Sequence, residues 1–316
     1  MMEKHLARAC SGDLLSAPHF PALPPDWPFH IAVVALALPA GCAPPEGLAA
    51  RVASGAGATR AEAAFRALME GAERYALQYS GARPTRLMPF ATAGGVMVDE
   101  PITRLTLGAP GGGGVTSRGA AAGDGLGDAG DRACLETLEH LALARLAEGD
   151  GSAFHRVDLP ELARYRSYLD GQLRGLSLWM AGGPQHVVAI ACTADRNNGR
   201  PTIGSAAGQE PCQTAIRAVE EAMFLWRNMV EMERRGAPVP PGPAGEAARL
   251  YRGAVPAPGW LDALTARSGE GRAAPLPLMG PAPLLETVAR VAGQRARLFD
   301  MTVPVLPVPV ARVLLG

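Results

Sequence analysis

A short phrase, Arg-Ala-x-x-Glu, stands three times in this chain, each time inside an alanine-rich stretch of helical periodicity. The copies are Arg66-Ala67-Leu68-Met69-Glu70, Arg132-Ala133-Cys134-Leu135-Glu136 and Arg217-Ala218-Val219-Glu220-Glu221. The first two continue to a second acid three residues on, Glu73 and Glu139. Residues three and four apart share a helix face, so each segment presents an arginine and one or two carboxylates along one stripe. One copy alone reads as a surface helix with i,i+4 ion pairs worth about 0.2–0.5 kcal/mol each. Recurrence, with apolar residues filling the positions between, points further. Two helices carrying Glu-x-x-Glu can hold four carboxylates around divalent cations while arginines meet phosphate, the outline of a magnesium–nucleotide site.

A chain of 316 residues builds one large domain, or a core with a lobe, and has ample material to bury. Its formal net charge is zero, and it has no arginine-rich stretch interleaved with aromatics, so nucleic-acid binding has no compositional support. The cysteines (Cys10, Cys42, Cys134, Cys192, Cys212) are odd in number and lack a Cys-x-x-Cys pair, which argues against a disulfide framework and a structural zinc site. The N-terminus lacks a signal-peptide pattern. The apolar run Ile31–Leu38 is too short to span a bilayer and reads as a buried strand. The expected setting is the cytoplasm, without a membrane partner.

Residues 1–30 read as an irregular, proline-rich segment. After the strand, Gly55-Ala56-Gly57-Ala58-Thr59 leads into a first helix from Arg60 to Tyr79, with Thr59 as N-cap and Glu62 in the first turn. Pro84–Thr106 suggests short strands. Gly111–Gly114 is a glycine loop without the Gly-Lys-Ser/Thr ending of a P-loop, and reads as a flexible turn. A second helix is expected over Asp128–Glu148 and a strand over His186–Cys192. Gly204–Gly208 opens a third helix over Cys212–Glu233. Pro238–Pro243 reads as a linker, Leu284–Arg297 as a helix, and Phe299–Gly316 as a strand-like tail. The pattern is α+β, with a glycine-rich loop before each helix whose N-terminal N–H groups face anions. Cys134 and the run Met223, Trp226, Met229, Met232 sit at core-facing spacing and are expected to pack.

The three segments resemble the signature motifs of the YcaO family, ATP-dependent enzymes that modify peptide backbone amides. Ala63-Ala64-Phe65-Arg66-Ala67-Leu68-Met69-Glu70-Gly71-Ala72-Glu73-Arg74-Tyr75 is similar to the first motif. Ser117-Arg118-Gly119-Ala120-Ala121-Ala122-Gly123-Asp124, then Asp128-Ala129 and Glu136-Thr137-Leu138-Glu139-His140, is similar to the second. Gly204-Ser205 followed by Arg217-Ala218-Val219-Glu220-Glu221-Ala222 is similar to the third. The tail, Asp300-Met301-Thr302-Val303-Pro304 to Pro309-Val310-Ala311-Arg312-Val313, resembles the family's ending.

The resemblance implies a single YcaO-like domain over 31–316, with mixed sheets and three motif-bearing helices around a nucleotide site. It implies ATP and Mg2+ as cofactors, with Glu70, Glu73, Glu136 and Glu139 as metal ligands. Arg74, Asp124, Asp128, His140, Arg217 and Glu221 follow as nucleotide-binding positions. The implied reaction is phosphorylation of a peptide amide oxygen, leading to an azoline or a thioamide in a ribosomal peptide natural-product pathway. A peptide substrate and a separate partner protein, E1-like or TfuA-like, are implied with it, and a homodimer is open. Some positions depart from the pattern. The cation expected between two glycines is Ala56, and an arginine is replaced by His140. Arg66 and Arg118 are candidates to restore two cations from new positions. A YcaO-like protein that serves as an inactive scaffold or peptide-binding partner is the alternative.

Overall fold

The computed structural model describes residues 14–38, 51–78, 83–109, 115–183, 185–240, 242–266, 283–306 and 308–316. Cys10, Cys42 and the Gly111–Gly114 loop lie outside them. The chain gathers into two compact units, the first from Met1–Leu23, Phe29–Leu138 and Ala282–Gly316, the second from Pro24–Pro28 and Glu139–Pro281.

In the first unit the apolar run forms β1 (His30–Ala35), paired antiparallel with β2 (Val52–Gly57) so that Val33 faces Ser54. The preceding segment is not wholly irregular, since Leu15 bridges to Leu36 and His19 to Val33. The first motif helix, α1 (Arg60–Leu77), begins with a reciprocal cap. Thr59 Oγ1 accepts the Glu62 N–H at 3.1 Å, and Glu62 Oε2 accepts the Ala58 N–H at 2.9 Å.

The glycines before α1 form strand rather than loop, because the helix lies directly on them. A Cβ at Gly55 would stand 2.3 Å from the Ala67 nitrogen and 2.5 Å from the Ala63 carbonyl oxygen. The second motif helix, α2 (Leu126–Ala147), follows β6 (Ala120–Ala122) with the same closeness: a Cβ at Gly123 would meet the Ala129 nitrogen at 2.2 Å.

Three further short strands precede β6: β3 (Arg86–Leu87), β4 (Ala91–Ala93) and β5 (Glu100–Pro101), with β3 paired to β5. The expected Leu284–Arg297 helix stops early. Gly293 takes a left-handed φ of 64° and closes α7 (Leu284–Ala292), as C-terminal glycines commonly do. The chain then forms β11 (Ala296–Asp300) and β12 (Val310–Leu315), completing an antiparallel sheet of order β4-β11-β12-β6.

The second unit carries an antiparallel sheet of order β10-β9-β8-β7, built from β7 (His155–Arg156), β8 (Arg174–Gly182), β9 (Val187–Asp195) and β10 (Thr202–Gly208). The helices are α3 (Ala163–Gly171), α4 (Pro211–Arg234), α5 (Gly242–Tyr251) and α6 (Gly259–Ala266). The end of the expected Pro238–Pro243 linker opens α5, whose first turn tolerates proline because the N–H it lacks would have no intrahelical partner there. The third motif helix, α4, is capped by Glu210, whose carboxylate accepts the N–H groups of Cys212 and Gln213 at 3.2 and 2.6 Å. Trp226 of this helix stacks on Trp27 with centroids 6.0 Å apart, and Tyr168 meets Trp27 edge-on at 5.3 Å. Met223 and Met229 are buried, so the Met/Trp run packs as expected.

One construction recurs in the two units. Arg66 of α1 donates to the Ala56 carbonyl at 2.8 Å, and Arg217 of α4 donates to the Ala207 carbonyl at 3.3 Å, each ten residues back in the preceding strand. The alanine after each motif arginine (Ala67, Ala133, Ala218) is fully buried.

The close seating makes a sharp prediction. A Cβ at Gly204 would stand 2.3 Å from the Ala218 carbonyl and 2.4 Å from the Ala222 nitrogen, both helix backbone, whereas at Gly175 of β8 it meets nothing within 4 Å. Gly204→Ala is expected to lower unfolding free energy by about 1–3 kcal/mol through overpacking. Gly175→Ala should be neutral or slightly stabilising. Chemical denaturation of the two variants checks the difference.

Candidate functional site

Three of the four predicted metal ligands gather in the first unit. Glu70 and Glu73 lie on α1 and Glu136 on α2. Glu70 accepts Arg74 Nε at 2.7 Å, and Arg74 Nη1 also donates to the Val52 carbonyl at 2.6 Å. The arginine therefore ties the first acid pair to the start of β2. Burial, then the charge of Glu70, then that of Glu136, push the Glu73 carboxyl well above its ordinary range. Arg74 and Arg312 pull the other way and are outweighed.

Arg312 is a functional candidate that the sequence motifs name without a role. It sits on β12, only 5% exposed, with Nη1 on the Leu105 carbonyl at 3.1 Å and Nη2 on the Thr116 carbonyl at 2.6 Å. Burial lowers its pKa, while Glu136 and Glu73 raise it. An arginine inside the apolar run Val310–Leu315 is the sequence signal for it, because a charge in a buried strand needs opposite charge nearby.

In the second unit, Glu139 of α2 and Glu221 of α4 converge on one residue. Ser205 Oγ donates to Glu139 Oε1 at 2.6 Å, and the Ser205 N–H donates to Glu221 Oε2 at 2.8 Å. Arg217, one turn before Glu221, is exposed and anchored by its bond to Ala207. His140 is half-buried beside Glu139. The neighbouring Glu220 is 2% exposed and accepts the Tyr165 hydroxyl at 2.8 Å, which makes it a core group.

Asp124 and Asp128 occupy the start of α2. The Asp124 N–H donates to Asp128 Oδ2 at 2.9 Å, and Asp128 also receives Arg132 Nε at 3.1 Å, so Asp128 serves as a helix-start cap. The motif arginines thus pair one turn backward where they can, Arg66 with Glu62 and Arg132 with Asp128. Arg118 is exposed. Cys134 and Cys192 are buried, and burial pushes both thiols up to about 12, so they pack rather than react.

Among the described residues, no three His, Cys, Asp or Glu side chains form a ready metal-ligand set. The donors at Glu70, Glu73 and Glu136 are nevertheless all carboxylate oxygens, the hard ligands magnesium takes. Their mutual repulsion at Glu73 is what a divalent cation relieves. On both counts the residues fit one.

No protein-family model matches the chain, and no curated protein matches it. Solved structures do. YcaO from Methanopyrus kandleri bound with AMPPCP and Mg2+ aligns with a TM-score of 0.67 at 19% identity, over 99% of this chain and 90% of that one. The chain has the YcaO fold. A heterocyclase in complex with substrate and cofactor gives a TM-score of 0.71 at 14% identity, over all of this chain and 52% of that one, so the chain spans about half its length. The E. coli microcin synthetase McbBCD complex with pro-MccB17 bound gives 0.67 at 11% identity, over 94% and 87%. The YcaO fold is α+β, as the motif order implies. None of the helices among the described residues is long and apolar enough to cross a membrane.

Stability should report the crowding at Glu73. Its folded pKa is raised, so the unfolded chain releases that proton first as pH rises from the ordinary glutamate value of 4.5. Across that window the folded state binds more protons, and stability falls with rising pH. In EDTA the wild-type melting temperature is expected to decline relative to Glu73→Gln above pH 4.5 and to converge with it below. Parallel profiles would show that Glu73 titrates normally.

Proposed function

We propose that this protein activates a peptide backbone amide with ATP and Mg2+. The γ-phosphoryl group passes to the amide oxygen. A nucleophile then adds to the amide carbon and phosphate leaves. A neighbouring Cys, Ser or Thr side chain gives an azoline by this route, and an external sulfide gives a thioamide, in a ribosomal peptide natural-product pathway.

The observation that carries this reading is the convergence of Glu70, Glu73 and Glu136 in a YcaO fold, with like charges crowded at Glu73. The similar Methanopyrus kandleri protein was captured with AMPPCP and Mg2+, and the similar heterocyclase with substrate and cofactor. Magnesium bound here would neutralise triphosphate charge and favour in-line transfer. The chain's own residues would do the rest. Glu70, Glu73, Glu136 and Glu139 offer oxygen ligands, and Arg74 holds Glu70 in place. Arg217 and Glu221 stand on one face of α4 as nucleotide contacts, the arginine toward phosphate. Arg66 brings a guanidinium to the Ala56 carbonyl, beside the position where a cation is missing from the motif. A peptide substrate and a separate E1-like or TfuA-like partner belong to the same reading, since the similar microcin synthetase is the McbBCD complex with pro-MccB17 bound.

An inactive scaffold or peptide-binding role is the second reading. It is favoured by the local engagement of Asp128 with Arg132 and Asp124, which occupies a proposed nucleotide position in helix capping.

Calorimetric titration of MgATP into the purified protein separates the two. Micromolar binding that disappears in Glu70→Gln/Glu136→Gln supports the enzyme, and peptide turnover is then sought with candidate partners. A folded wild type that binds no MgATP, alone or with its partner, sinks the enzyme reading.

A further inference from the structure

We infer that Ser205 is a positioning residue that sets Glu139 and Glu221 together, and so links cation binding to nucleotide binding in the second unit. The inference rests on the proposed function and deepens it.

Ser205 lies on β10, the edge strand of its sheet, and hydrogen-bonds outward with two different groups. Its hydroxyl donates to Glu139 Oε1 at 2.6 Å, the length of a charge-assisted O–H···O bond. Its backbone N–H donates to Glu221 Oε2 at 2.8 Å. The two acids come from different helices, α2 and α4, and this residue is their shared partner. A carboxylate offers about four acceptor sites, so one bond to Ser205 fixes the rotamer of Glu139 and leaves the other oxygen for a cation. Outer partners of this kind hold ligating carboxylates in orientation.

Two neighbouring features make the arrangement a built one. Gly204 lets α4 lie against β10, since a Cβ there would strike the Ala218 and Ala222 backbone and also approach the Glu221 Cβ at 2.9 Å. That approach is what brings Glu221 within reach of the next residue's N–H. The bond to Glu221 also satisfies an edge-strand donor. Edge capping alone accounts for the N–H bond. It does not account for the hydroxyl bond to Glu139, which no strand requirement imposes.

The test measures how binding of a non-hydrolysable ATP analogue depends on Mg2+ concentration, with thermal melting run in parallel. In Ser205→Ala, the Mg2+ concentration for half-maximal analogue binding is expected to rise about tenfold or more. Ser205→Cys, close in volume but a weak donor, should show the same loss, and serves if the alanine variant does not fold. Ser205→Thr keeps the hydroxyl on a side chain suited to a strand, and should retain the wild-type dependence. In a Glu139→Gln background, Ser205→Ala should add nothing to the Mg2+ dependence. Folded alanine and cysteine variants with wild-type Mg2+ dependence would overturn the inference, as would a threonine variant as impaired as alanine. A wild type that binds no analogue removes the underlying function itself, an outcome recognisable before any variant is compared.

Discussion

Helix seated on strand backbone without intervening side chains is the contact on which both units are built. At Gly55 and Gly204 the helices α1 and α4 come so near that even a methyl group is excluded. The motif alanines on the helix side are fully buried for the same reason. Such contacts bury little apolar area per residue, and their strength lies in dense packing and short backbone separations. They also seat each helix directly on its strand. Register matters here because the arginines and acids on the outer face are positioned by the alanines on the inner one.

The charges follow from that geometry. With α1 fixed on β2, Arg74 reaches both Glu70 and the Val52 carbonyl, and Glu73 is left among like charges. With β12 paired into its sheet, Arg312 arrives as a fixed positive group, held by two carbonyls rather than by the carboxylates it faces. Its charge lowers the Glu73 pKa, and Glu136 and Glu73 raise its own. An acidic cluster of this kind is costly to keep in a folded chain, and Arg74 and Arg312 only partly offset that cost at Glu73.

The three motif helices were legible because period, caps and breakers agreed. Thr59 with Glu62 marks the start of α1. The strands beneath them were not. Val52–Gly57 and Thr202–Gly208 carry glycine where local signals read loop, and only the approach of a distant helix backbone explains why glycine belongs in those strands. The join between α7 and β11 is hidden in the sequence because helical spacing runs on past Gly293. The acids of the site were readable as a set through their spacing. Ser205 and Arg312 could be quoted within motifs, but their roles depend on contacts across 66 or more residues of sequence. The correspondence of Arg66–Ala56 with Arg217–Ala207 also needed the structure, since nothing local says that an arginine will reach ten residues back.

The order of strands in the first unit carries a temporal consequence. β4 and β6 pair with β11 and β12, which follow the whole continuous stretch of the second unit. During synthesis, both early strands therefore remain without β11 and β12 until the second-unit stretch has been made. Residues 139–281 can emerge from the ribosome and assemble first, while the earlier-made acids on α1 wait for the strand that brings Arg312. The strands that close the sheet are made only after that whole intervening stretch.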